Sequence, residues 1–303
     1  MNADEYYALA TKRNLGIVSP EEQQKLRNSR IAIVGMGGGG GIYLTTLVRM
    51  GIGRFNIADF DAFSIVNTNR QAGAMQSTIG RPKTEVMAEI ARDINPSIEI
   101  RRFDNGINEQ NIEDFLHDVD IVFDAVDVFA QPARLLLYRT ARRLGKPVLF
   151  SAPLGLSATL GVFTPDGMSF EDYFDIREGM TPFEIMIAFL VGLAPGGTHL
   201  KYMDLSRVEP AEQAGPSSAA AISMMAGVVG VEALALLLNR RPPVAAPIYT
   251  QFDPYIGVYI RGRLRWGNRG PIQRLKRWLV ARKFAGQKQK FNDAGLEPLP
   301  KEK

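Results

Sequence analysis

The feature that most limits how this chain can fold is a short apolar run, Arg30-Ile31-Ala32-Ile33-Val34, that ends on Gly35-Met36-Gly37-Gly38-Gly39-Gly40-Gly41. The run reads as a strand, and Ile42 to Met50 after the glycines has helical spacing until Gly51-Ile52-Gly53 stops it. A strand that turns through bare glycines into a helix is the opening of a βαβ unit. The rest of the first half repeats the alternation. Phe55–Ala58 reads as a strand, Ser77–Ile94 as a helix, Ile98–Ile100 as a strand and Asn111–Leu116 as a helix. Ile121–Phe123 reads as a strand, Pro132–Leu144 as a helix and Pro147–Phe150 as a strand. Such alternation predicts an α/β fold, a Rossmann-like, doubly wound and mostly parallel sheet with helices on both faces.

After Ser151 the pattern changes. Ala158–Phe163 and Ile248–Ile260 read as strands with turn signals, an antiparallel extension of the sheet. Between them an insert at about 169–216 is rich in Gly, Pro and Met, with one apolar helix at Pro182–Leu193. The expected organisation is an N-terminal helical segment (1–29), a main domain (30–266) carrying the insert, and a basic C-terminal tail (267–303). In the first segment Ser19-Pro20-Glu21-Glu22 is a helix start, with Ser19 as cap and Pro20 at the first helical position. Ala219–Leu238 is nearly continuously apolar and long enough to span a bilayer, but Glu232 lies inside it, so a buried helix of a soluble core is the favoured reading. In the tail, Ile272, Leu275, Trp278 and Leu279 fall at helical spacing among Arg and Lys. A packed or solvated helix is favoured there, with membrane contact through a basic amphipathic face as the minority reading.

Composition excludes several chemistries. The 303 residues include no cysteine and only two histidines, His117 and His199. Disulfides, thiolate zinc sites, redox pairs and thioesters on this chain are ruled out, and a His-based triad is disfavoured. No zinc is expected. The start, Met-Asn-Ala-Asp-Glu-Tyr-Tyr, lacks a basic region and apolar run, so the expected compartment is the cytoplasm. The net charge of +4 is mild and concentrated in the tail, and no nucleic-acid partner is expected.

The chemistry-bearing residues come in order. The glycine run, with Gly35, Gly37, Gly38 and Gly40, offers backbone amides and a helix N-terminus to phosphate, and taken alone it fits NAD, FAD or ATP alike. Asp59 ends the second strand, 24 residues after Gly35, where an acid accepts ribose hydroxyls. Asp61 follows it and can cap the next turn. Asn67, Arg70, Gln71 and Lys83 then form a polar, cationic set that suits a triphosphate better than a nicotinamide, because Arg and Lys neutralise the charge of departing pyrophosphate. Asp124 and Asp127 sit at and after a strand end, where a carboxylate can hold Mg²⁺.

Together these residues resemble the ThiF/HesA/MoeB adenylyltransferases of the ubiquitin-activating-enzyme superfamily. The matching stretch is Ser29 to Pro165, through the glycine loop, Asp59-Phe60-Asp61, Asn67-Thr68-Asn69-Arg70-Gln71, Gly80-Arg81-Pro82-Lys83, Asp124 to Asp127 and Gly161 to Pro165, and Gly215 to Leu238 resembles the family's later helix. The resemblance implies that the glycine loop and Asp59 hold ATP, that Asn67, Arg70, Gln71 and Lys83 surround its phosphates, and that Asp127 binds Mg²⁺. It implies a homodimer in which an N-terminal arginine, here Arg13, reaches the partner's triphosphate. It also implies adenylation of a carboxylate, on a peptide, a ubiquitin-like protein or a small acid. The chain departs from the family at Val128, where Asn is common, in the longer spacing from Asp127 to Arg134, and in lacking the zinc and acceptor cysteines. Without cysteine the adenylate must pass to an external acceptor. An oxidoreductase on the same fold, or a non-catalytic nucleotide-binding partner module, is the alternative that the sequence leaves open.

Overall fold

The computed structural model describes residues 1–209 and 215–293. Residues 210–214 of the expected insert and 294–303 of the tail fall outside the described residues. Two helices open the chain, α1 (Ala3–Ala10) and α2 (Pro20–Asn28). The predicted cap of α2 forms: Ser19 Oγ accepts from Glu22 N–H at 3.2 Å, and the Glu22 carboxylate accepts from Ser19 N–H at 2.8 Å.

The alternating core follows: β1 (Arg30–Val34), α3 (Gly38–Arg49), β2 (Arg54–Ala58), α4 (Lys83–Ile94), β3 (Glu99–Phe103), α5 (Ile112–Phe115), β4 (Ile121–Asp124), α6 (Gln131–Arg143) and β5 (Val148–Phe150). β3, β2, β1, β4 and β5 pair in that order, all parallel, with Ile33 opposite Ile57 on one side and Phe123 on the other. Side chains of β1 alternate between the two faces. Ile31 and Ile33 join a core with α3, α4 and the later helix α9 (Ala219–Leu237), whereas Ala32 and Val34 join a core with α5 and α6. That two-sided burial is why β1 reads as a continuous apolar run.

Beyond β5 the sheet turns antiparallel through β6 (Pro153–Leu154), β7 (Ser157–Phe163), β8 (Ile248–Asp253) and β9 (Val258–Arg263). The run from Ile248 to Ile260, read as strand with turn signals, is a hairpin of β8 and β9. Pro254 cannot donate to a ladder, and Gly257 N–H closes the turn onto Pro254 O at 3.2 Å. The helix expected from Ser77 is also corrected. A 3-10 turn covers Gln76–Thr78, Gly80 takes φ of +86°, and α4 begins only at Lys83, after Pro82.

The insert supplies α7 (Phe170–Phe174) and α8 (Pro182–Leu193), which extend the second core, where Phe170 packs at a tilt against Phe163 and Phe174. α9 (Ala219–Leu237) is, among the described residues, the one helix long and apolar enough to cross a membrane. It packs into the first core through Ile222, Met225, Val229 and Ala233. Its carboxylate, Glu232, is buried and satisfied by Arg241 at 3.1 Å and Val244 N–H at 3.3 Å. The chain continues as α10 (Pro271–Lys283), packed on α8, and α11 (Lys288–Asp293).

Candidate active site

The glycine run itself makes the first turn of α3, which starts four residues before the predicted helix, with Gly37 as the capping residue. Gly35 holds φ of +91°, and its N–H donates to Ala58 O at 2.7 Å. A Cβ on Gly35 would lie 2.3 Å from Ala125 O, and one on Gly40 would lie 1.6 Å from Gly35 O. The β1–α3 turn is therefore folded tightly against the exit of β4 and leaves no room for side chains. The amides of the first helical turn have no intrahelical acceptor and face outward from the carboxyl edge of the sheet.

The second strand delivers Asp59 to this turn. Its Oδ2 accepts from Met36 N–H at 2.6 Å and its Oδ1 from Asp61 N–H at 2.8 Å. Burial pushes the Asp59 carboxyl up from its ordinary range, and the nearby Lys83 ammonium works in the opposite direction. Each oxygen keeps a second lone pair with which a hydroxyl donor can bond. Asp61 does not cap the next turn as expected, because its carboxylate is taken by Lys83. Its backbone oxygen receives Lys83 N–H at 2.9 Å, and its Oδ2 receives the Lys83 ammonium at 2.8 Å. Lys83, the first residue of α4, is itself buried.

The loop between β2 and α4 brings the remaining polar set to the glycines. Gln71 Nε2 lies 3.4 Å from the point where a Gly37 Cβ would sit, and Gln71 Oε1 is buried without a hydrogen-bond partner. The Arg70 chain passes over Gly38, with Cγ 3.9 Å from the equivalent point. Its Nη1 donates to Val66 O at 3.0 Å and to Asn69 Oδ1 at 2.9 Å. Asn69 in turn donates to Ser217 O at 3.1 Å, just ahead of α9. Asn67 is spent on the loop itself, its Oδ1 accepting from the Ser64 amide at 3.0 Å and hydroxyl at 3.1 Å. Ile222 and Met225 of α9 cover Gly38 and Gly39 from above, a contact that no local sequence signal announced.

The two aspartates after β4 divide their work. Asp124 is buried and ion-paired, its Oδ2 2.8 Å from Arg134 Nε, and it is not a free metal ligand. Its Oδ1 holds Val126 N–H at 3.0 Å. The Arg134 guanidinium also donates to Val126 O and lies 4.4 Å over the Phe189 ring. Asp127 is exposed, and only its Oδ1 is engaged, by Phe129 N–H at 2.9 Å. Among the described residues no group of three or more His, Cys, Asp or Glu side chains could together hold a metal ion. Arg13 lies at the far end of α3. It is exposed, and its neighbour Asn14 donates to Met50 O at 3.2 Å, about 18 Å along the helix from the glycine loop.

Gly37, Gly38, Arg70 and Gln71 thus meet at one helix N-terminus, with Asp59, Asp61 and Lys83 linked to it through Met36. Anionic phosphate is the ligand that bare amides at such a place can hold, and the loop that carries Arg70 and the start of α4 that carries Lys83 border it.

Known proteins share this chain's pattern. The tRNA threonylcarbamoyladenosine dehydratase of Haemophilus influenzae is 37% identical over 123 residues, 40% of this chain and 47% of that protein. The sulfur carrier protein adenylyltransferase of Thermus thermophilus is 32% identical over 146 residues, 48% of this chain and 53% of that protein. The chain spans about half the length of these curated relatives. Among solved structures, PaaA superposes with a TM-score of 0.63 at 18% identity, covering 87% of this chain and 74% of its own. Escherichia coli MccB with AMPCPP and MccA superposes with a TM-score of 0.62 at 20% identity, covering 87% of this chain and 73% of its own. These likenesses show the α/β fold, including its antiparallel side. Residues 9–261 match the ThiF family, and the chain belongs to that family.

Proposed function

We propose that this chain activates a carboxylate with ATP. A carboxylate oxygen attacks the α-phosphorus, the bond from that phosphorus to the bridging oxygen breaks, and pyrophosphate leaves with the electron pair. The product is an acyl-adenylate. Chain groups act by position and charge. The first-turn amides of α3 hold phosphate oxygens, Asp59 takes the ribose hydroxyls, and Arg70 and Lys83 balance the charge that builds on the leaving pyrophosphate. With no cysteine, the adenylate goes to an external amine, thiol or sulfur carrier. The observation that carries the reading is the meeting of Arg70 and Gln71 with Gly38 and Gly37 at one helix N-terminus.

Asp127 is the residue that would hold Mg²⁺. Its carboxylate is exposed with Oδ2 unengaged, and Mg²⁺ needs few protein oxygens when phosphates and water complete its shell. The cation would supply further charge neutralisation at the phosphates. Because Arg13 lies at the far end of α3 in its own subunit, a contribution from it requires a homodimer that delivers it in trans.

A peptide or protein C-terminus is the favoured substrate. It is supported by the likeness to a sulfur carrier protein adenylyltransferase and by the fold shared with MccB over 87% of this chain. A carboxylate displayed on a modified tRNA is the second reading, favoured by the 37% likeness to a threonylcarbamoyladenosine dehydratase.

The test is exchange of labelled pyrophosphate into ATP, screened over peptides, carrier-protein C-termini and small acids, with nucleotide binding measured directly. Carboxylate-dependent exchange that requires Lys83 supports the proposal. Binding of NAD or flavin without ATP would overturn it.

A further inference from the structure

Helix α10 presents an apolar face outward, against the usual rule for amphipathic helices. Its inward face is polar along the first turns, and towards its end Val280 and Ala281 pack on the small apolar cluster around Phe183, Met186 and Ile187. Gln273 is buried and donates to Asn268 Oδ1 at 3.0 Å, Lys276 Nζ reaches Pro195 O at 2.6 Å, and Arg277 pairs with Asp175 at 2.6 Å. Its outward face is apolar. Ile272, Leu275, Trp278 and Leu279 are 69%, 57%, 56% and 51% exposed. Trp266, just before the helix, is 60% exposed. The chain has two tryptophans, and both lie here.

Charge is gathered in the same segment. From 254 to 292 there is no Asp or Glu, and eleven Lys and Arg occur between Arg261 and Lys290. The whole chain carries only +4, so the remainder is net −7. Arg274 and Arg282 flank the apolar stripe, and Arg282 and Arg265 each lie 5.7 Å over a tryptophan ring, Trp278 and Trp266 respectively. Beside α10 a cavity of about 570 Å³ opens between Arg177, Arg269, Arg274 and Arg277 on one hand and Asp175 and Glu184 on the other. Asp175 is already shared between Arg177 and Arg277, at 2.8 and 2.6 Å. The Arg274 guanidinium has no partner among the described residues.

We propose that the outer face of α10, with Trp266 and the arginine-lined cavity, docks on an anionic phospholipid surface. Aliphatic side chains and tryptophan rings enter the headgroup–acyl boundary, while the surrounding cations and the cavity take lipid phosphates. Charge complementarity selects this occupant. A second copy docking through the same face would set these cations against their own equivalents. Nucleic acid would satisfy the cations but offers no apolar layer to Ile272, Leu275 and Leu279. The docking is independent of the reaction proposed above, because none of these residues lies in the nucleotide site.

The experiment is flotation of the full chain with vesicles of phosphatidylcholine alone or mixed with phosphatidylglycerol, with tryptophan emission recorded alongside. The expected result is flotation and a blue shift with the anionic vesicles only, weakened by salt. Leu275→Ser with Leu279→Ser, and separately Arg274→Glu with Arg282→Glu, should each lower binding by at least roughly tenfold while leaving pyrophosphate exchange unchanged. These side chains are exposed or flanking, so the variants fold. No flotation of the parent chain would overturn the proposal. So would full binding by the leucine variant, which would mean adsorption by charge alone. Tryptophan burial on dimerisation without lipid would reassign the face to a second copy, and binding of tRNA unaffected by the leucine changes would reassign it to nucleic acid.

Discussion

The Lys83 ammonium lies 2.8 Å from Oδ2 of Asp61, the lysine chain almost wholly buried and the aspartate half exposed. The pair joins the start of α4 to the end of β2, and through Asp59 and Met36 it is tied to the glycine loop. The lysine is thus positioned before any phosphate arrives, and a bound triphosphate must share it with Asp61. Lys83→Met, which keeps the buried aliphatic stem, should lower pyrophosphate exchange by about 100-fold or more. Asp61→Asn still offers an oxygen to the amine and should cost only about 3–10-fold. Equal losses in the two variants, measured as exchange rates at saturating ATP, would show that the lysine acts only through the pair.

Two glycines of the loop should separate folding from binding. A methyl on Gly40 would sit 1.6 Å from Gly35 O, which nothing can relieve without moving the turn. Gly40→Ala should lower unfolding stability by more than about 2 kcal/mol. Gly37 has an ordinary φ of −77°, and its Cβ would meet only the flexible end of Gln71, at 3.4 Å. Gly37→Ala should therefore melt like the parent chain yet bind ATP at least about tenfold more weakly, because the methyl occupies the space in front of the helix amides. Thermal melts and nucleotide titrations on the same samples decide this.

Local signals made much of the molecule legible. Arg30–Val34 and Pro182–Leu193 match their predicted bounds because each is defined by its own apolar pattern and flanking punctuation. Ser77 failed as a helix start because Gly80 and Pro82 outweigh the helical spacing around them. The division between Asp124 and Asp127 was hidden for a different reason. It depends on Arg134, on the first turn of α6, folding back onto β4. The spacing of Ile272, Leu275, Trp278 and Leu279 showed that they share a face, but which way that face points is fixed by Asp175, Val191 and Pro195, all far away in sequence.

Asp127 offers a clean test of the metal. Asn at this position keeps the oxygen that receives Phe129 N–H and removes only the charge. Asp127→Asn should leave the melting temperature within about 2 °C of the parent, since surface changes of this kind rarely exceed ~0.5 kcal/mol. Exchange should fall by about 100-fold and lose its dependence on added Mg²⁺. An unchanged Mg²⁺ titration would remove Asp127 from the metal's shell.

The buried pair beneath it should behave differently. Arg134→Met strips Asp124 of its counter-ion in a site where both side chains are no more than 3% exposed. Leaving one charge of a buried pair uncompensated costs about 3–5 kcal/mol. The variant should unfold at markedly lower denaturant concentration and, because Val126 O loses its donor, displace the segment that carries Asp127. A stability equal to the parent's would show that water replaces the guanidinium.

His199 should set the acid limit of the fold. It is buried beside Gln251, whose Nε2 lies 3.5 Å from the His199 Nδ1, with Asp253 and Tyr202 close by. Burial pulls its pKa down to about 4, against a smaller upward pull from Asp253. A histidine with a depressed folded value binds its proton in the unfolded chain first. Its neutral form therefore costs nothing above about pH 6.5, and stability is lost progressively as pH falls from there towards about 4. The full loss is about 3 kcal/mol. His199→Gln cannot titrate and keeps a polar group in the pocket. Urea unfolding at neutral pH and near pH 4.5 should thus show the parent losing about 2–3 kcal/mol more than the variant. Equal losses in the two proteins would show that other groups set the acid limit.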